Sequence, residues 1–306
     1  MEKLGLKMLL LASLLVLASA SLAADLTDPT VFIVVLARNK AHTLPHFLGL
    51  LRELDYPRDR ISLWIRSDHN EDATPAILRR WVDAYRGDYH SVDLAIDESR
   101  SRYEDEVNPW SGTSDLRFEH VMRLKDEGLR AARRSWADFA WFLDADAFVT
   151  HPGTLKDMTT KTDLTVFAPL MVSTGQYSNF WAGMGEDYYY VRTDSYKPIL
   201  ERKEVDCFEV PLVHSSVMVN LRHKARLSFH PDGLGEDGYQ GPFDDMIAFA
   251  VSAAGASGVK PSVCNQEVYG YVMVPLSGDD KTLQDDLINL TNIKTEVIEF
   301  FRNITF

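Results

Sequence analysis

The sequence predicts an α/β fold in which a mixed central sheet carries helices on both faces. Three observations support this prediction: β-branched apolar runs alternate with helix-period segments, a strand-helix-strand unit opens the chain, and a buried apolar run ends in two aspartates. With 306 residues, 45% of them hydrophobic and 25% charged, the chain can bury one substantial core. No repeat or linker divides it, so residues 29–306 are predicted to form a single domain.

The amino-terminal stretch is typical of a secretory signal peptide. Lys3 and Lys7 supply positive charge, residues 8–17 are almost wholly apolar, and small side chains follow at 21–23. We therefore expect a signal peptide over residues 1–23, and a protein of the endoplasmic reticulum lumen or a secreted one. The apolar run is short for a bilayer, so we expect no membrane span after cleavage; an uncleaved signal anchor is the alternative.

Other features bear on compartment and partners. Cys207 and Cys264 are the two cysteines, and they either pair in an oxidising compartment or remain as buried thiols. Sequons at Asn289 and Asn303 agree with a lumenal destination. Residues 302–306 contain no retention tetrapeptide of the Lys-Asp-Glu-Leu type, so retention is expected to need a partner or a further segment. A net charge of −13 argues against nucleic acid as a partner.

The first elements form a unit of the nucleotide-binding type. Residues 31–37 are continuously apolar, which predicts a strand covered on both faces. A helix with apolar residues on one face follows from Leu44, and residues 61–65 predict a second strand. Arg38 and Asp68 come just after these two strands, so both are expected at the same edge of the sheet. Asp68 either accepts hydrogen bonds from a ribose or uracil, or merely opens the next helix.

The middle of the chain leads to the two aspartates. A third strand is predicted at 92–96, and residues 98–114 show no periodicity, which is typical of a surface loop or of a mobile lid. A long helix then carries one apolar face, and the charges on its other faces are interpreted as solvated. It delivers the chain to an apolar strand at 139–143, directly before Asp144 and Asp146.

Asp144 and Asp146 are the central candidate site. Side chains i and i+2 of a strand share a face, so the two carboxylates are expected to converge at the carboxyl edge of the sheet. Hard oxygen ligands of this kind suit Mg²⁺ or Mn²⁺, either of which can bridge a diphosphate. The alternative is an Asx turn that closes the strand, because Asp-x-Asp by itself is a weak pattern.

The last third of the chain adds further candidates. Aromatic residues at 177–181 and 188–190 either stack on a sugar or fill the core. A late strand is predicted at 211–219, with His214 and Ser215 inside it. Residues 229–241 predict a flexible loop, and a buried helix follows it. Asp244 or Asp245 either caps this helix or serves as an acid/base group. One final amphipathic helix is predicted over 283–301.

Eight short motifs occur in one order along the chain: Leu36-Ala37-Arg38-Asn39, Leu44-Pro45-His46-Phe47-Leu48, Leu54-Asp55-Tyr56-Pro57, Ser67-Asp68-His69-Asn70, Tyr177-Ser178-Asn179-Phe180-Trp181, Val213-His214-Ser215, Phe243-Asp244-Asp245 and Tyr269-Gly270-Tyr271. Together they resemble the N-terminal half of the procollagen galactosyltransferases of glycosyltransferase family 25, which has the cerebral endothelial cell adhesion molecule as a close relative. The resemblance runs from about residue 29 to about residue 290, which makes it far more specific than Asp-x-Asp alone.

The resemblance implies a GT-A type nucleotide-diphospho-sugar transferase fold. It also implies transfer of galactose from UDP-galactose to hydroxylysine of collagen, with inversion and with Mn²⁺ as the usual metal, Mg²⁺ being the alternative. On this sequence, Asp144 and Asp146 would hold the ribose and the metal-diphosphate, and Arg38 with Asp68 would line the uridine pocket.

The resemblance leaves some roles open. Asp245 or Asp244 would be the base that accepts the hydroxylysine proton, and His214 would be a further metal ligand. Full-length family members resemble a tandem of two such domains, and the resemblance covers only the first. If catalysis resides mainly in the second domain, this one would be a non-catalytic lumenal module that binds nucleotide or collagen, or that serves adhesion. A transferase that uses UDP-glucose is another alternative. A homo-oligomer is compatible with either.

Overall fold

The computed structural model describes residues 28–110, 114–234, 239, 241–275 and 280–302. The predicted signal peptide and the sequon at Asn303 lie outside the described residues. None of the described helices is long and apolar enough to cross a bilayer.

The strands in chain order are β1 (Val31–Leu36), β2 (Ile61–Asp68), β3 (Ser91–Asp97), β4 (Phe139–Leu143), β5 (Ala147–Val149), β6 (Val166–Pro169), β7 (Met171–Val172), β8 (Phe180–Trp181), β9 (Cys207–Glu209), β10 (Leu212–Val213), β11 (Ser216–Asn220), β12 (Ser262–Cys264) and β13 (Gly270–Val272). Eight of them form the central sheet, in the order β3-β2-β1-β4-β11-β6-β12-β9. β5, β13 and β7 form a small second sheet, and β10 pairs with β8.

The helices in chain order are α1 (Leu44–Arg52), α2 (Thr74–Tyr85), α3 (Asp115–Arg134), α4 (Thr154–Thr159), α5 (Tyr196–Leu200), α6 (Asp245–Ser257), α7 (Leu283–Glu296) and α8 (Ile298–Arg302). Short 3₁₀ turns lie at Arg58–Arg60, Arg86–Asp88 and Pro231–Leu234.

Helices cover both faces of the central sheet, as predicted. Along β4, Phe139, Trp141 and Leu143 belong to one hydrophobic cluster, which also holds the apolar faces of α1 and α2. The alternate residues Ala140 and Phe142 belong to a second cluster on the opposite face, packed with α3 and α6. Such alternation explains why β1 and β4 are apolar at every position: each side chain has a covering helix.

The strand directions place several strand ends at one edge. β1, β2, β3 and β4 run parallel, so their carboxyl ends point the same way. β11 is antiparallel to β4 and pairs Ser216 with Leu143, so its beginning meets the end of β4. The sheet is therefore mixed, and the candidate residues after β1, β2 and β4 lie at one edge.

Two element predictions are wrong in detail. The strand predicted at 211–219 is two strands, because Ser215 has a positive φ of 59° and the chain leaves one sheet for another at this point. β10 pairs with β8, whereas β11 enters the central sheet. The predicted last helix is likewise two helices, α7 and α8.

The cysteines and the first sequon have defined environments. Cys207 and Cys264 form a disulfide bond that joins the paired strands β9 and β12. Asn289 is 7% exposed, and its side-chain amide donates a hydrogen bond to the Val274 carbonyl at 2.8 Å. The folded chain therefore does not present the Asn289 amide at its surface.

Candidate functional site

A cleft of about 250 Å³ opens at the carboxyl edge of the central sheet. Arg38 after β1, Asp68 at the end of β2, and Asp144 and Asp146 after β4 all line it, together with Asp245 at the start of α6. Five of the seven candidate residues thus meet in one place. The cleft also contains charged and aromatic side chains that the sequence analysis did not single out: Lys40, Tyr103, Arg117 and Lys125.

A tight turn aims the two aspartates into the cleft. The Asp144 amide donates to the Ser215 carbonyl at 2.9 Å, and the Ala147 amide donates to the Asp144 carbonyl at 3.0 Å. These bonds fix the backbone between β4 and β5. The Asp144 side chain is 36% exposed and the Asp146 side chain 29% exposed, so both carboxylates remain accessible.

Two lysines offset the negative charge of the cleft. The Lys40 ammonium lies 2.5 Å from an Asp146 carboxylate oxygen. The Lys125 ammonium contacts Asp245 and lies 3.8 Å from Asp144. The cleft lining as a whole holds four carboxylates and four cationic side chains, so its formal charges balance.

The two aspartates differ in acidity. Burial raises the pKa of both carboxyls, but the charge of Lys40 more than compensates at Asp146, whose pKa lies below its usual range. At Asp144, burial dominates the opposing charge of Lys125, and the nearby carboxylates of Asp146 and Asp245 add to it, so the pKa is raised. Burial lowers the pKa of Lys125, yet the carboxylates of Asp245 and Asp144 outweigh burial and raise it overall.

The carboxylates fit a metal that brings ligands of its own. Within the described ranges, no three acidic, histidine or cysteine side chains converge on a common point that would hold a metal ion. Mg²⁺ and Mn²⁺ sites often use only one or two carboxylates and complete their coordination with substrate phosphates and water. Asp144 and Asp146 match that donor set, and a diphosphate would supply the missing ligands.

The side of the cleft after β1 and β2, here called the nucleoside side, is closed by the segment 98–110. Arg38 donates two hydrogen bonds of 2.6 Å to Glu106, whose side chain is fully buried. The Tyr103 hydroxyl donates to Asp68 at 2.7 Å, and the Tyr103 ring stacks on His69 with 3.8 Å between centroids. The segment therefore packs against this side of the cleft, and the choice between a surface loop and a mobile lid stays open.

Asp68 is fully provided with hydrogen bonds. Besides Tyr103, it contacts His69 Nδ1 at 2.7 Å and His120 Nε2 at 3.4 Å. Burial alone would raise the pKa of this carboxyl, but the three partners lower it well below its usual range. The start of α2 is instead held by Asp72, which accepts from the Thr74 amide at 2.9 Å. Opening that helix is therefore not the role of Asp68.

The two acidic residues at the start of α6 have different environments. Asp244 is the N-cap, and its side chain accepts hydrogen bonds from the amides of Met246 and Ile247 at 2.9 and 3.2 Å. Burial, with the neighbouring charge of Asp245, raises the pKa of Asp244. Asp245 lines the cleft and contacts Lys125. Of the pair, Asp245 is the one placed to meet a substrate.

His214 lies beside the cleft without lining it. The residue is 2% exposed, its Nδ1 lies 2.9 Å from the Ser215 hydroxyl, and its Nε2 lies 3.4 Å from the Tyr177 hydroxyl. Burial, followed by the charge of Lys125, lowers the pKa of His214 to about 4. The imidazole is therefore neutral at physiological pH, and its role as a metal ligand stays a prediction.

The charges of α3 are not all solvated, which corrects one interpretation. The Lys125 side chain is only 12% exposed, because it points into the cleft between α3 and α6. Position 125 comes three residues after the buried Met122 and four before the buried Leu129, so helical spacing places it on the inward face. That spacing was the available signal for this residue.

Comparison with known proteins agrees with this architecture. The family model described as "Glycosyltransferase family 25, N-terminal domain" matches residues 28–294. A "Glycosyltransferase 25 family member" of Anopheles gambiae is 45% identical over 278 residues, which cover 90% of this chain and 46% of that protein. "Procollagen galactosyltransferase 2" of Mus musculus is 43% identical over 274 residues, which cover 88% of this chain and 42% of that protein. The chain spans about half the length of the curated relatives it matches.

A solved structure supports the fold. The crystal structure of S. aureus TarS 1–349 superimposes with a TM-score of 0.50 at 16% identity, covering 90% of this chain and 66% of that one. At this identity the likeness concerns the fold alone, and the mixed sheet with helices on both faces is of the GT-A type. From the family match and the two relatives, the chain belongs to glycosyltransferase family 25 and carries the N-terminal domain of that family.

Proposed function

We propose that this chain transfers galactose from UDP-galactose to hydroxylysine of collagen, in a metal-dependent reaction that inverts the anomeric centre. The observation that carries the proposal is the convergence of Asp144, Asp146 and Asp245 with Lys40 and Lys125 in one cleft. The name of the mouse relative, a procollagen galactosyltransferase, supports the donor and the acceptor. The two neighbouring carboxylates of Asp144 and Asp146 support a divalent cation.

The chain's own residues would position the donor. Asp68 and Arg38 would hold the uridine, because a carboxylate and a guanidinium at one strand edge match the hydroxyl and carbonyl groups of a nucleoside. Lys40 and Lys125 lie next to the two aspartates and would contact the diphosphate once a cation takes their place beside the carboxylates. When bound, Mn²⁺ or Mg²⁺ would neutralise the charge that develops on the departing UDP.

Asp245 would act as the general base. Inversion by a single displacement requires a base that takes the acceptor hydroxyl proton while the oxygen attacks the sugar. Asp245 lines the cleft, and its contact with Lys125 fixes the carboxylate in place. Asp244 is the weaker candidate, since both of its hydrogen bonds serve the cap of α6.

We further propose that the protein works in the lumen of the secretory pathway on a collagen-like acceptor. The disulfide between Cys207 and Cys264 supports an oxidising compartment. The predicted signal peptide supports the same location.

The proposal is tested with purified protein, a hydroxylysine-containing collagen peptide, and UDP-galactose or UDP-glucose. The proposal predicts transfer of galactose with Mn²⁺, little transfer of glucose, and no transfer in the presence of a chelator. Metal-dependent glucose transfer would change the donor and keep the mechanism. UDP binding without transfer of either sugar would instead identify a non-catalytic nucleotide-binding module.

A further inference from the structure

A second cavity, of about 580 Å³, is walled by the segment between β7 and α5 together with α5 itself. Trp181 packs edge-on against Tyr190 with 5.9 Å between ring centroids, and Tyr190 packs in the same manner against Tyr196 at 6.2 Å. Five aromatic residues line this space, which we call the aromatic cavity: Tyr177, Phe180, Trp181, Tyr190 and Tyr196. Its size falls within the usual range for ligand sites.

The aromatic cavity adjoins the cleft through one side chain. Tyr177 lines the cavity, and its hydroxyl lies 3.4 Å from His214 Nε2. The next residue, Ser215, accepts the hydrogen bond from the Asp144 amide. A chain lying in the cavity would therefore have the cleft within reach of a long side chain.

Polar groups in the cavity are left for a ligand. Among the described residues, no hydrogen bond is made by the Trp181 indole N–H or by the Tyr190 hydroxyl, and Tyr190 is 39% exposed. Tyrosine and tryptophan rings that combine apolar faces with available donors are the usual lining of sites for polyproline II segments. The backbone of such a segment has no internal hydrogen bonds, so its carbonyls accept from these donors while proline rings pack on the aromatic faces.

We infer that the aromatic cavity binds an extended, proline-rich stretch of the acceptor polypeptide, next to the lysyl residue that enters the cleft. The inference rests on the proposed function for the identity of the acceptor. The charge of the protein agrees with it, because a net charge of −13 attracts a lysine-containing chain.

The test measures peptide binding without any sugar donor. A labelled single-chain peptide of Gly-Pro-Lys triplets, too short to form a triple helix and lacking hydroxylysine, is titrated with the full chain and followed by fluorescence anisotropy. Trp181→Ala and Tyr190→Ala are each expected to weaken binding about tenfold, as loss of an aromatic anchor does at an interface. Trp136→Ala is the matched control, since Trp136 is 90% exposed and lies before the amino end of β4, away from the cleft.

Two further variants and one further peptide keep the result interpretable. Trp181→Phe and Tyr190→Phe keep an aromatic ring at each position but remove the indole N–H and the phenol hydroxyl. Each should weaken peptide binding by a few-fold. UDP affinity and melting temperature should be unchanged in both. Equal peptide affinity in wild type and all four variants would overturn the inference, and so would equal binding of a peptide with alanine at every proline position.

The binding experiment and the galactose-transfer assay together separate the two proposals. If the protein transfers galactose but the Trp181 and Tyr190 variants bind the peptide as the wild type does, the acceptor site is refuted and the proposed function is retained. Peptide binding that depends on both residues, without any transfer, would support the acceptor site and remove the enzymatic function.

Discussion

The nucleoside side of the cleft and the aromatic cavity are built in opposite ways. The nucleoside side rests on the ends of the parallel strands β1 and β2, and its key groups already have partners: Arg38 binds Glu106 and Asp68 binds Tyr103. The wall of the aromatic cavity has little regular structure, and two of its donors make no hydrogen bond to the described residues. A nucleotide bound as proposed would therefore displace contacts within the protein, whereas the proposed acceptor would use donors that have no such contacts.

The largest effect should come from Asp245, the proposed general base. Asp245→Asn keeps the shape of the side chain but removes a base, so kcat for galactose transfer should fall about a thousandfold, within the range of general-base contributions. UDP affinity should change less than about twofold, because ligands of the donor are retained. Single-turnover kinetics and calorimetry measure the two quantities.

The control for Asp245→Asn is its neighbour. Asn is as good an N-cap as Asp, so Asp244→Asn should keep α6 and retain near-normal kcat, whereas Asp244→Ala should cost about 1 kcal/mol of stability. Normal turnover by Asp245→Asn would exclude Asp245 as the base. Loss of turnover in Asp244→Asn would transfer the assignment to Asp244.

The next effect concerns Asp146, the carboxylate proposed to hold the metal. Asp146→Ala should weaken Mn²⁺-dependent UDP binding by about a hundredfold, since even outer-sphere partners of a metal are worth about 10- to 100-fold. With a chelator present, the variant and the wild type should bind UDP alike. The fold should persist, because Lys40 is 22% exposed and can turn towards solvent when it loses its partner. Unchanged calorimetric affinity in Mn²⁺ would refute the metal assignment.

A smaller effect, in this case an increase in UDP affinity, tests whether contacts within the protein compete with the nucleotide on the nucleoside side. Tyr103→Phe removes one hydrogen bond to Asp68 that a ribose or uracil would otherwise have to replace. UDP affinity should therefore rise about three- to tenfold, which corresponds to the net worth of one hydrogen bond. Exposed Tyr189→Phe, outside the cleft, serves as the control. Weaker binding by Tyr103→Phe would mean that the Tyr103 hydroxyl contacts the nucleotide itself.

The smallest effect lies away from both regions and depends on pH. Burial, and then the charge of Lys294, lowers the pKa of His46 to about 4, so the unfolded chain binds more protons than the folded one between about pH 6.5 and 4. Stability is therefore lost as pH falls through this window. In His46→Gln the difference in melting temperature between pH 7.5 and pH 5 should shrink, with UDP affinity unchanged at pH 7.5. If the wild type and His46→Gln show the same difference in melting temperature between the two pH values, His46 does not contribute to the pH dependence of stability.

The main strands of the central sheet, and the edge at which their polar ends lie, could be predicted from the sequence. Apolar runs at 31–37 and 139–143 match β1 and β4, because a strand covered on both faces can have few polar positions. Parallel strands end at one edge, so Arg38, Asp68 and Asp144 could be expected at the same edge of the sheet once the fold class was known. The sequence could not distinguish a disulfide bond from two buried thiols at Cys207 and Cys264, because pairing depends on the distance between them in the fold.

The pairing of charged side chains in the cleft could be learned only from the folded chain. Lys40 contacts Asp146 across 106 residues and Lys125 contacts Asp245 across 120, and no local pattern encodes contacts of that separation. The break of the predicted strand at Ser215 is equally hidden, because a serine with positive φ is held there by the two sheets it joins rather than by its own preference. Local propensity sets the elements, whereas packing sets the partners of each charge.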